Sequence, residues 1–214
     1  MGPFVPAVKG DHPVSVAGRG PRVGLLGGSF NPAHAGHLHI SRLAFRRLRL
    51  AEVWWLVAPQ NPLKPADDMA PLTERLTNAR AAAGSAAWGH KVWVTDIERE
   101  LGTCYTADTL KALKRRFPVH RFVWIMGADN LIEIPRWHGW TAVFDAVPVA
   151  VFARPTYSFR ALTSKAARRF ARHRINEVRA TALADMRPPA WVFVHIPLNA
   201  ASATGIRAGT RNRK

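Results

Sequence analysis

Two histidines lie three residues apart in a glycine-rich segment near the start of the chain. The segment follows a short apolar run and reads Gly27-Gly28-Ser29-Phe30-Asn31-Pro32-Ala33-His34-Ala35-Gly36-His37. Glycines let backbone N–H groups approach a ligand closely. A helix that opens at Gly36 would add unpaired N–H groups and a positive dipole end, which together bind anions. Imidazoles can donate hydrogen bonds and carry charge near neutral pH, so His34 and His37 suit phosphoryl or nucleotidyl transfer.

A purely structural role is the alternative interpretation of this segment. One Gly-Gly pair or one histidine would be explained by a turn or a helix cap alone. Eleven such residues in succession are poorly explained in that way. A zinc site is disfavoured and no metal ligands are expected, because His34 and His37 have no cysteine nearby to complete a coordination sphere.

Polar and aromatic residues also follow two later apolar runs. Asp129 comes just after Gly127, where a carboxylate could accept hydrogen bonds from a ribose or help to organise a metal. Trp137 offers a flat face on which an aromatic ring could stack, although core packing is a serious alternative in a chain with eight tryptophans. Arg154 follows a further apolar run and is placed to face a nucleotide.

Two segments combine hydroxyl groups with a predicted helix start. Thr106 is a plausible N-cap, and the free N–H groups beside it could hold a carboxylate. Ser202 and Thr204, with Arg207 one turn later, could clamp phosphates. An ordinary capped helix is the alternative for each segment taken alone.

A cationic loop and the helix after it complete the candidate set. Lys64, in the loop Pro59-Gln60-Asn61-Pro62-Leu63-Lys64, could meet a phosphate as a point charge. Arg75 and Asn78 are weaker candidates for the same side, since exposed polar side chains are usually only solvated.

Apolar runs alternate with helical patterns along most of the chain. The predicted strands are 23–26, 53–58, 92–94, 122–126, 147–152 and 191–196, and the predicted helices are 36–50, 72–87 and 106–117. Strands that are apolar on both faces imply a parallel sheet covered on both sides. We therefore expect an α/β fold with a doubly wound parallel sheet, whose ligands bind at the carboxyl ends of the strands.

One basic segment, residues 156–187, interrupts this alternation and is predicted to be helical. We expect a mobile tail over residues 1–20 and one domain over residues 21–214, with residues 156–214 as a smaller C-terminal helical lobe. A single domain agrees with the length of 214 residues.

The composition excludes several classes of protein. A disulfide scaffold is excluded by a single cysteine, and a disordered or collagenous chain by eight tryptophans with only 15 glycines and 16 prolines. No run of about 18 apolar residues is present, so no membrane span is expected, and a cytoplasmic location fits. The formal net charge of +17 predicts attraction to polyanions without identifying one.

The motif from Gly27 to His37 resembles the signature of the HxGH nucleotidyltransferase superfamily, although Asn31 stands where many members carry Asp. Within that superfamily the chain is similar to the bacterial nicotinate-nucleotide adenylyltransferases over about residues 22–207. The segments that carry this similarity are 59–64, 103–110, 124–137 and 202–207. The resemblance implies a Rossmann-like nucleotidyltransferase fold and adenylyl transfer from ATP, bound with Mg²⁺, to nicotinate mononucleotide, a step in NAD biosynthesis.

The resemblance also implies roles for individual residues. It implies catalytic roles for His34, His37 and Arg207. It implies that ATP contacts Gly27, Gly28, Ser29, Phe30, His34, His37, Gly127, Asp129, Arg154, Ser202, Thr204 and Arg207. It implies that the acceptor contacts Lys64, Tyr105, Thr106 and Trp137, with the nicotinate carboxylate held by the backbone of Tyr105 and Thr106.

Other functions remain open on the residues alone. They are a sister adenylyltransferase acting on nicotinamide mononucleotide or phosphopantetheine, a non-catalytic nucleotide-binding protein, an RNA-binding protein and a membrane-surface protein. The arginines at 168, 169, 172 and 174 motivate RNA binding, but no RNA-reading motif is evident. The helical stretch 165–180 has too few apolar residues to bind a membrane surface. The partners that the resemblance implies are ATP and nicotinate mononucleotide. No specific nucleic acid and no membrane is expected as a partner, and the residues leave the question of a homo-oligomer open.

Overall fold

The structure is a computed structural model that describes residues 20–59, 69–154 and 157–195. Within these ranges seven β-strands form one sheet, in which each strand is parallel to its neighbours. The strands are β1 (Arg22–Gly28), β2 (Glu52–Val57), β3 (Val92–Thr95), β4 (Arg121–Gly127), β5 (Val149–Phe152), β6 (Arg174–Ile175) and β7 (Trp191–Val194).

The strand order is β3-β2-β1-β4-β5-β7-β6. The chain moves outward from β1 to β3 and then returns to place β4 on the other side of β1. Ligands bind at such a reversal, beyond the carboxyl ends of the strands. This order confirms the prediction of a doubly wound parallel sheet.

Helices cover both faces of the sheet. They are α1 (Ala35–Leu48), α2 (Leu72–Gly84), α3 (Ile97–Glu100), α4 (Thr106–Arg116), α5 (Ala128–Glu133), α6 (Trp140–Ala146), α7 (Ser158–Leu162) and α8 (Lys165–Arg169). Short 3₁₀ helices lie at Gly89–Lys91, Ile134–Arg136, Ala171–His173 and Glu177–Asp185. In the described part of the chain, no helix is both long and apolar enough to cross a bilayer.

Each strand supplies side chains to two separate cores. In β2, Trp54 and Leu56 belong to the core beneath α4, α5 and α6, whereas Val53, Trp55 and Val57 belong to the core beneath α1 and α2. Successive side chains of a strand point to opposite faces, so a strand between two helical layers must be apolar throughout. The apolar runs of the sequence follow from this arrangement.

The basic segment departs from its predicted helical structure. Among its described residues it contains α7 and α8, but it also contains the strand β6, whose Arg174 and Ile175 pair with Trp191 and Val192 of β7. A two-residue strand is too short to show a periodic pattern, so no sequence signal indicated it. Residues 1–19, on which most of the predicted tail falls, lie outside the described ranges.

Candidate active site

The loop after β1 leads directly into α1, and both histidines of the motif cap this helix. His34 is the N-cap residue, and its Nδ1 accepts a hydrogen bond from the backbone N–H of Gly36 at 3.1 Å. The Nδ1 of His37 accepts a hydrogen bond from the backbone N–H of His34 at 3.1 Å. No acidic residue occupies the first turn of α1. The positive end of this helix dipole is therefore not neutralised locally.

These two hydrogen bonds fix the protonation pattern of the imidazoles. A neutral imidazole carries its proton on one nitrogen and accepts with the other. Because each Nδ1 accepts from the backbone, the proton of each neutral ring lies on Nε2. The two ring centroids are only 4.0 Å apart. The arrangement therefore leaves two neighbouring Nε2–H groups as hydrogen-bond donors for a ligand.

Aromatic packing keeps His37 neutral. Its ring lies 4.6 Å from the ring of Phe30 and 5.8 Å from that of Trp55. Burial is the main reason that the pKa of His37 falls to about 3, and the nearby His34 and Arg154 lower it further. Burial, and then Arg154, also lowers the pKa of His34. The charge that an imidazole can carry near neutral pH is therefore absent from His37 in this structure, and its ring is neutral.

The side chain of Phe30 supports His37 from within the core. Phe30 is 1% exposed and has a left-handed backbone with a φ of 46°. Its ring stacks on Trp55 with the centroids 5.1 Å apart. Phe30 therefore offers almost no surface for its predicted ATP contact, because its ring is buried against His37 and Trp55.

The two glycines at the end of β1 differ in the contacts that an added Cβ atom would make. A Cβ at Gly27 would lie 2.4 Å from Cη2 of Trp124, so the packing of the sheet itself requires glycine there. A Cβ at Gly28 would meet Cε2 of Phe30 at 3.5 Å, an ordinary contact. Gly28 is therefore the position of the two at which an added methyl group would meet only ordinary contacts with the protein.

An ion pair joins the ends of β4 and β5. Nε of Arg154 lies 3.2 Å from Oδ1 of Asp129, and this carboxylate oxygen is buried without a hydrogen bond. A Cβ at Gly127 would lie 2.3 Å from that oxygen and 2.5 Å from that nitrogen. Glycine at 127 thus lets the pair form across the strand end, and Arg154 also influences the pKa of both histidines.

Arg75 is buried, contrary to its predicted position beside a substrate. It is 2% exposed, and its guanidinium donates to four backbone carbonyl oxygens at 2.8 Å. These oxygens belong to Ser29, Ala58, Pro59 and Ala70. Arg75 therefore ties the loop after β1 to the loop after β2 and to the start of α2. The other weak candidate, Asn78, is exposed on α2.

The start of α4 differs by one residue from its prediction. Tyr105 is the N-cap residue and makes no side-chain cap, and Thr106 is the first residue of the helix. Tyr105 is 38% exposed, and its ring centroid lies 4.4 Å from that of His138, a residue that sequence reasoning missed. Trp137 is partly exposed and packs edge-on against Trp124 at 6.5 Å. Both Tyr105 and Trp137 are thus accessible to a ligand.

A buried acid also lies against this helix start and was missed. Glu98 of α3 is 7% exposed, and burial raises its pKa to about 7. Its Oε1 is 3.4 Å from the hydroxyl of Thr109, a residue of α4 that is 1% exposed. The sequence Ile97-Glu98-Arg99-Glu100 has the composition of a solvated face, so nothing in it marks Glu98 as buried.

Four predicted site residues, Lys64, Ser202, Thr204 and Arg207, lie outside the described ranges. Within those ranges, no group of three or more His, Cys, Asp or Glu side chains is arranged to hold a metal ion.

Comparison with known proteins identifies the family. A cytidylyltransferase-like family model matches residues 25–209. A probable nicotinate-nucleotide adenylyltransferase of Cereibacter sphaeroides is 53% identical over 191 residues, which cover 89% of this chain and 99% of that protein. A Caulobacter protein with the same description is 51% identical over 186 residues, which cover 87% of this chain and 96% of that protein. This chain belongs to the nicotinate-nucleotide adenylyltransferase family.

Solved structures support the same fold. The nicotinic acid mononucleotide adenylyltransferase of Plasmodium falciparum complexed with NaAD superimposes with a TM-score of 0.67 at 16% identity. The match covers 88% of this chain and 83% of that one. The Rossmann-like nucleotidyltransferase fold is thus shared with it. As a member of the nicotinate-nucleotide adenylyltransferase family, the chain is an enzyme of the nucleotidyltransferase class.

Proposed function

We propose that this chain transfers the adenylyl group of ATP to nicotinate mononucleotide, giving nicotinate adenine dinucleotide and pyrophosphate in NAD biosynthesis. The observation that carries the proposal is the pair of imidazoles at the start of α1, whose Nδ1 atoms are both engaged by the backbone. Relatives that are 51–53% identical over most of this chain and described as probable nicotinate-nucleotide adenylyltransferases support this reaction.

The chemistry requires positioning and charge stabilisation rather than a covalent enzyme intermediate. A phosphate oxygen of nicotinate mononucleotide attacks the α-phosphorus of ATP. The bond from that phosphorus to the bridging oxygen breaks, and its electron pair leaves with pyrophosphate. Negative charge builds on the α-phosphate and on the leaving group, where donors fixed in advance are most effective. We assign this role to the Nε2–H groups of His34 and His37 and to the start of α1.

Further residues hold ATP in this proposal. Arg154 contributes a cation at the end of β5, positioned by its 3.2 Å ion pair with Asp129. Gly28 leaves room for close approach of a phosphate. Ser202, Thr204 and Arg207 remain predicted contacts of the pyrophosphate portion.

The acceptor would lie at the start of α4, which covers the face of the sheet opposite to α1. Backbone N–H groups at the start of α4, at Tyr105 and Thr106, would hold the nicotinate carboxylate. Trp137 would stack on the pyridine ring, a contact that adds about 0.5–1.5 kcal/mol to simple burial. Lys64 would meet the acceptor phosphate.

Nucleotidyltransferases of this kind generally use a divalent metal with ATP, and we propose Mg²⁺. The described residues hold no cluster of three or more metal-binding side chains. We therefore expect the ion to be held by triphosphate oxygens and water, as Mg²⁺ commonly is. When bound, it neutralises charge on the phosphates.

An acceptor screen tests the proposal. The purified chain is incubated with MgATP and, separately, nicotinate mononucleotide, nicotinamide mononucleotide or phosphopantetheine, and pyrophosphate and the dinucleotide product are measured. We expect rapid release of pyrophosphate with nicotinate mononucleotide. Faster release with another acceptor would assign the chain to a sister activity, and ATP binding without release would make it a nucleotide-binding protein.

A further inference from the structure

The buried hydroxyl of Thr109 is the centre of a hydrogen-bond cluster at the start of α4. Its Oγ1 lies 2.9 Å from Oγ1 of Thr103, 3.2 Å from the carbonyl oxygen of Tyr105 and 3.4 Å from Oε1 of Glu98. Glu98 also accepts, through its backbone carbonyl, the N–H of Thr103 at 2.9 Å. The turn between α3 and α4 is therefore held through both backbone and side-chain atoms.

The Tyr105 carbonyl belongs to the same peptide unit as the N–H of Thr106. A peptide unit is planar, so fixing the direction of its C=O also fixes that of its N–H. The Tyr105 oxygen accepts from the Thr109 hydroxyl and also from the backbone N–H groups of Asp108 and Thr109, both at 3.0 Å. The cluster therefore sets the orientation of a donor at the exposed start of α4.

The buried acid is unusual in such a cluster. A threonine in a helix often donates to the carbonyl four residues earlier, with no partner beyond it. Thr77 of α2 does so, donating to Thr73 at 2.9 Å while exposed to solvent. Thr109 makes the same bond, but its hydroxyl is buried and also faces a carboxyl group and a second hydroxyl. A protonated Glu98 can donate to Thr109, which leaves the Thr109 proton for the Tyr105 carbonyl.

We propose that Thr109 and Glu98 are positioning residues that orient the Tyr105–Thr106 peptide toward the carboxylate of a pyridine mononucleotide. Neither side chain touches the substrate, and both act through the backbone of Tyr105 and Thr106. The proposal rests on the function proposed above, because it requires that this peptide binds the acceptor carboxylate. It adds that recognition of the carboxylate depends on a buried hydroxyl and a buried acid.

The first test compares Thr109→Val with Thr109→Ser. Valine keeps the shape and removes the hydroxyl, so we expect the KM for nicotinate mononucleotide to rise about tenfold, which corresponds to about 1.4 kcal/mol. The KM for ATP and kcat should change less than about twofold, because the N–H donors of α1 are untouched. Serine restores the hydroxyl and should restore the KM. Thr77→Val, which removes the same bond from an exposed helix, should leave both KM values unchanged.

A second pair of variants tests the acid. Glu98→Gln keeps a donor beside Thr109 and should keep the KM for nicotinate mononucleotide within about twofold of the parent protein, whereas Glu98→Leu should raise it as Thr109→Val does. Equal changes in the KM for ATP, or an unchanged KM in Thr109→Val, would overturn the positioning role. The unmodified protein distinguishes the two proposals, since the proposed function is tested on that protein alone, by its release of pyrophosphate with each acceptor.

Discussion

The two sides of the site use buried ionisable groups in opposite ways. At the start of α1, His37 is packed against Phe30 and Trp55, and its pKa falls to about 3. At the start of α4, Glu98 is packed beneath Thr109, and its pKa rises to about 7. Burial disfavours the charged form of a base and of an acid alike, so it lowers one pKa and raises the other. Both sides thereby favour neutral side chains beside a helix start.

The difference lies in where the hydrogen-bond donors point. His34 and His37 use one ring nitrogen to hold the backbone and keep the other for a ligand. Glu98 and Thr109 direct their hydrogen bonds into the protein, and the backbone is left to meet the ligand. The start of α1 is therefore sensitive to the loss of a donor that contacts the reacting phosphates. The start of α4 is sensitive to a change in the orientation of its backbone N–H groups.

The largest effect should come from the histidine side. We expect His37→Ala to lower kcat by about 100-fold or more, since it removes one fixed donor to the transition state. Steady-state release of pyrophosphate measures the loss. His39→Ala, on the same helix, is the matched control and should stay within about twofold. A variant at position 37 with full turnover would remove His37 from the mechanism.

At the start of α4, the buried Glu98 should make the stability of the protein depend on pH. The pKa of Glu98 is about 7 when folded and near 4.5 when unfolded, so the folded protein binds more protons between these values. The free energy of unfolding therefore falls as pH rises through this window, and the full cost of about 3 kcal/mol is present above it. Glu98→Gln should lack this slope and be the more stable protein at pH 8.

Chemical denaturation at a series of pH values measures both proteins. Parallel curves for Glu98→Gln and the unmodified chain would show that the carboxyl group titrates at its ordinary pKa and is not buried as described.

A smaller effect should separate the two glycines of the histidine side. The added methyl group of Gly28→Ala meets only an ordinary contact at 3.5 Å, so this variant should fold normally. In the proposed function the methyl group would occupy space that a phosphate of ATP approaches, so the KM for ATP should rise about tenfold, which corresponds to about 1.4 kcal/mol. Gly27→Ala meets Trp124 at 2.4 Å and should lose about 2 kcal/mol of stability through overpacking. Thermal unfolding and ATP kinetics of both variants test this difference between the two glycines. Equal losses of stability in the two variants would contradict it.

The smallest effect is expected in the pH profile of turnover. Imidazoles with lowered pKa values are already neutral at pH 7 and do not titrate between pH 7 and 9. We therefore expect kcat at saturating substrates to vary less than about twofold there. A donor that had to be charged, with a pKa near 6.5, would lose about tenfold in activity for each pH unit above that value. Such a decline, absent in His37→Ala, would show that His37 works as a cation.

Fold and site differ in how far the sequence predicts them. Runs such as Val53–Val57 are apolar at every position because they lie between two helical layers, so the parallel sheet could be predicted. The strand Arg174–Ile175 could not, since two residues carry no period. The glycine and histidine motif indicated the start of α1, because its residue types and spacing are themselves the chemical signal.

The burial of individual charged residues could not be predicted from the sequence. Arg75 and Glu98 belong to helices with other charged residues, and isolated charges in such helices are usually solvated. Their burial depends on which loops and helices meet at the carboxyl edge of the sheet. The neutral state of His37 has the same origin, because Trp55 comes from a different strand.

Arg75 has a consequence for how this enzyme can change during evolution. All four oxygens that it contacts belong to the main chain, and every amino acid provides such an oxygen. Substitutions at positions 29, 58, 59 and 70 can therefore change the side chain and still keep the hydrogen bonds from Arg75 that join the loops. The single guanidinium cannot be exchanged as freely, since no other side chain offers five N–H groups in one plane. Sequence variation around this loop junction should concentrate on the oxygen-bearing positions rather than on the arginine.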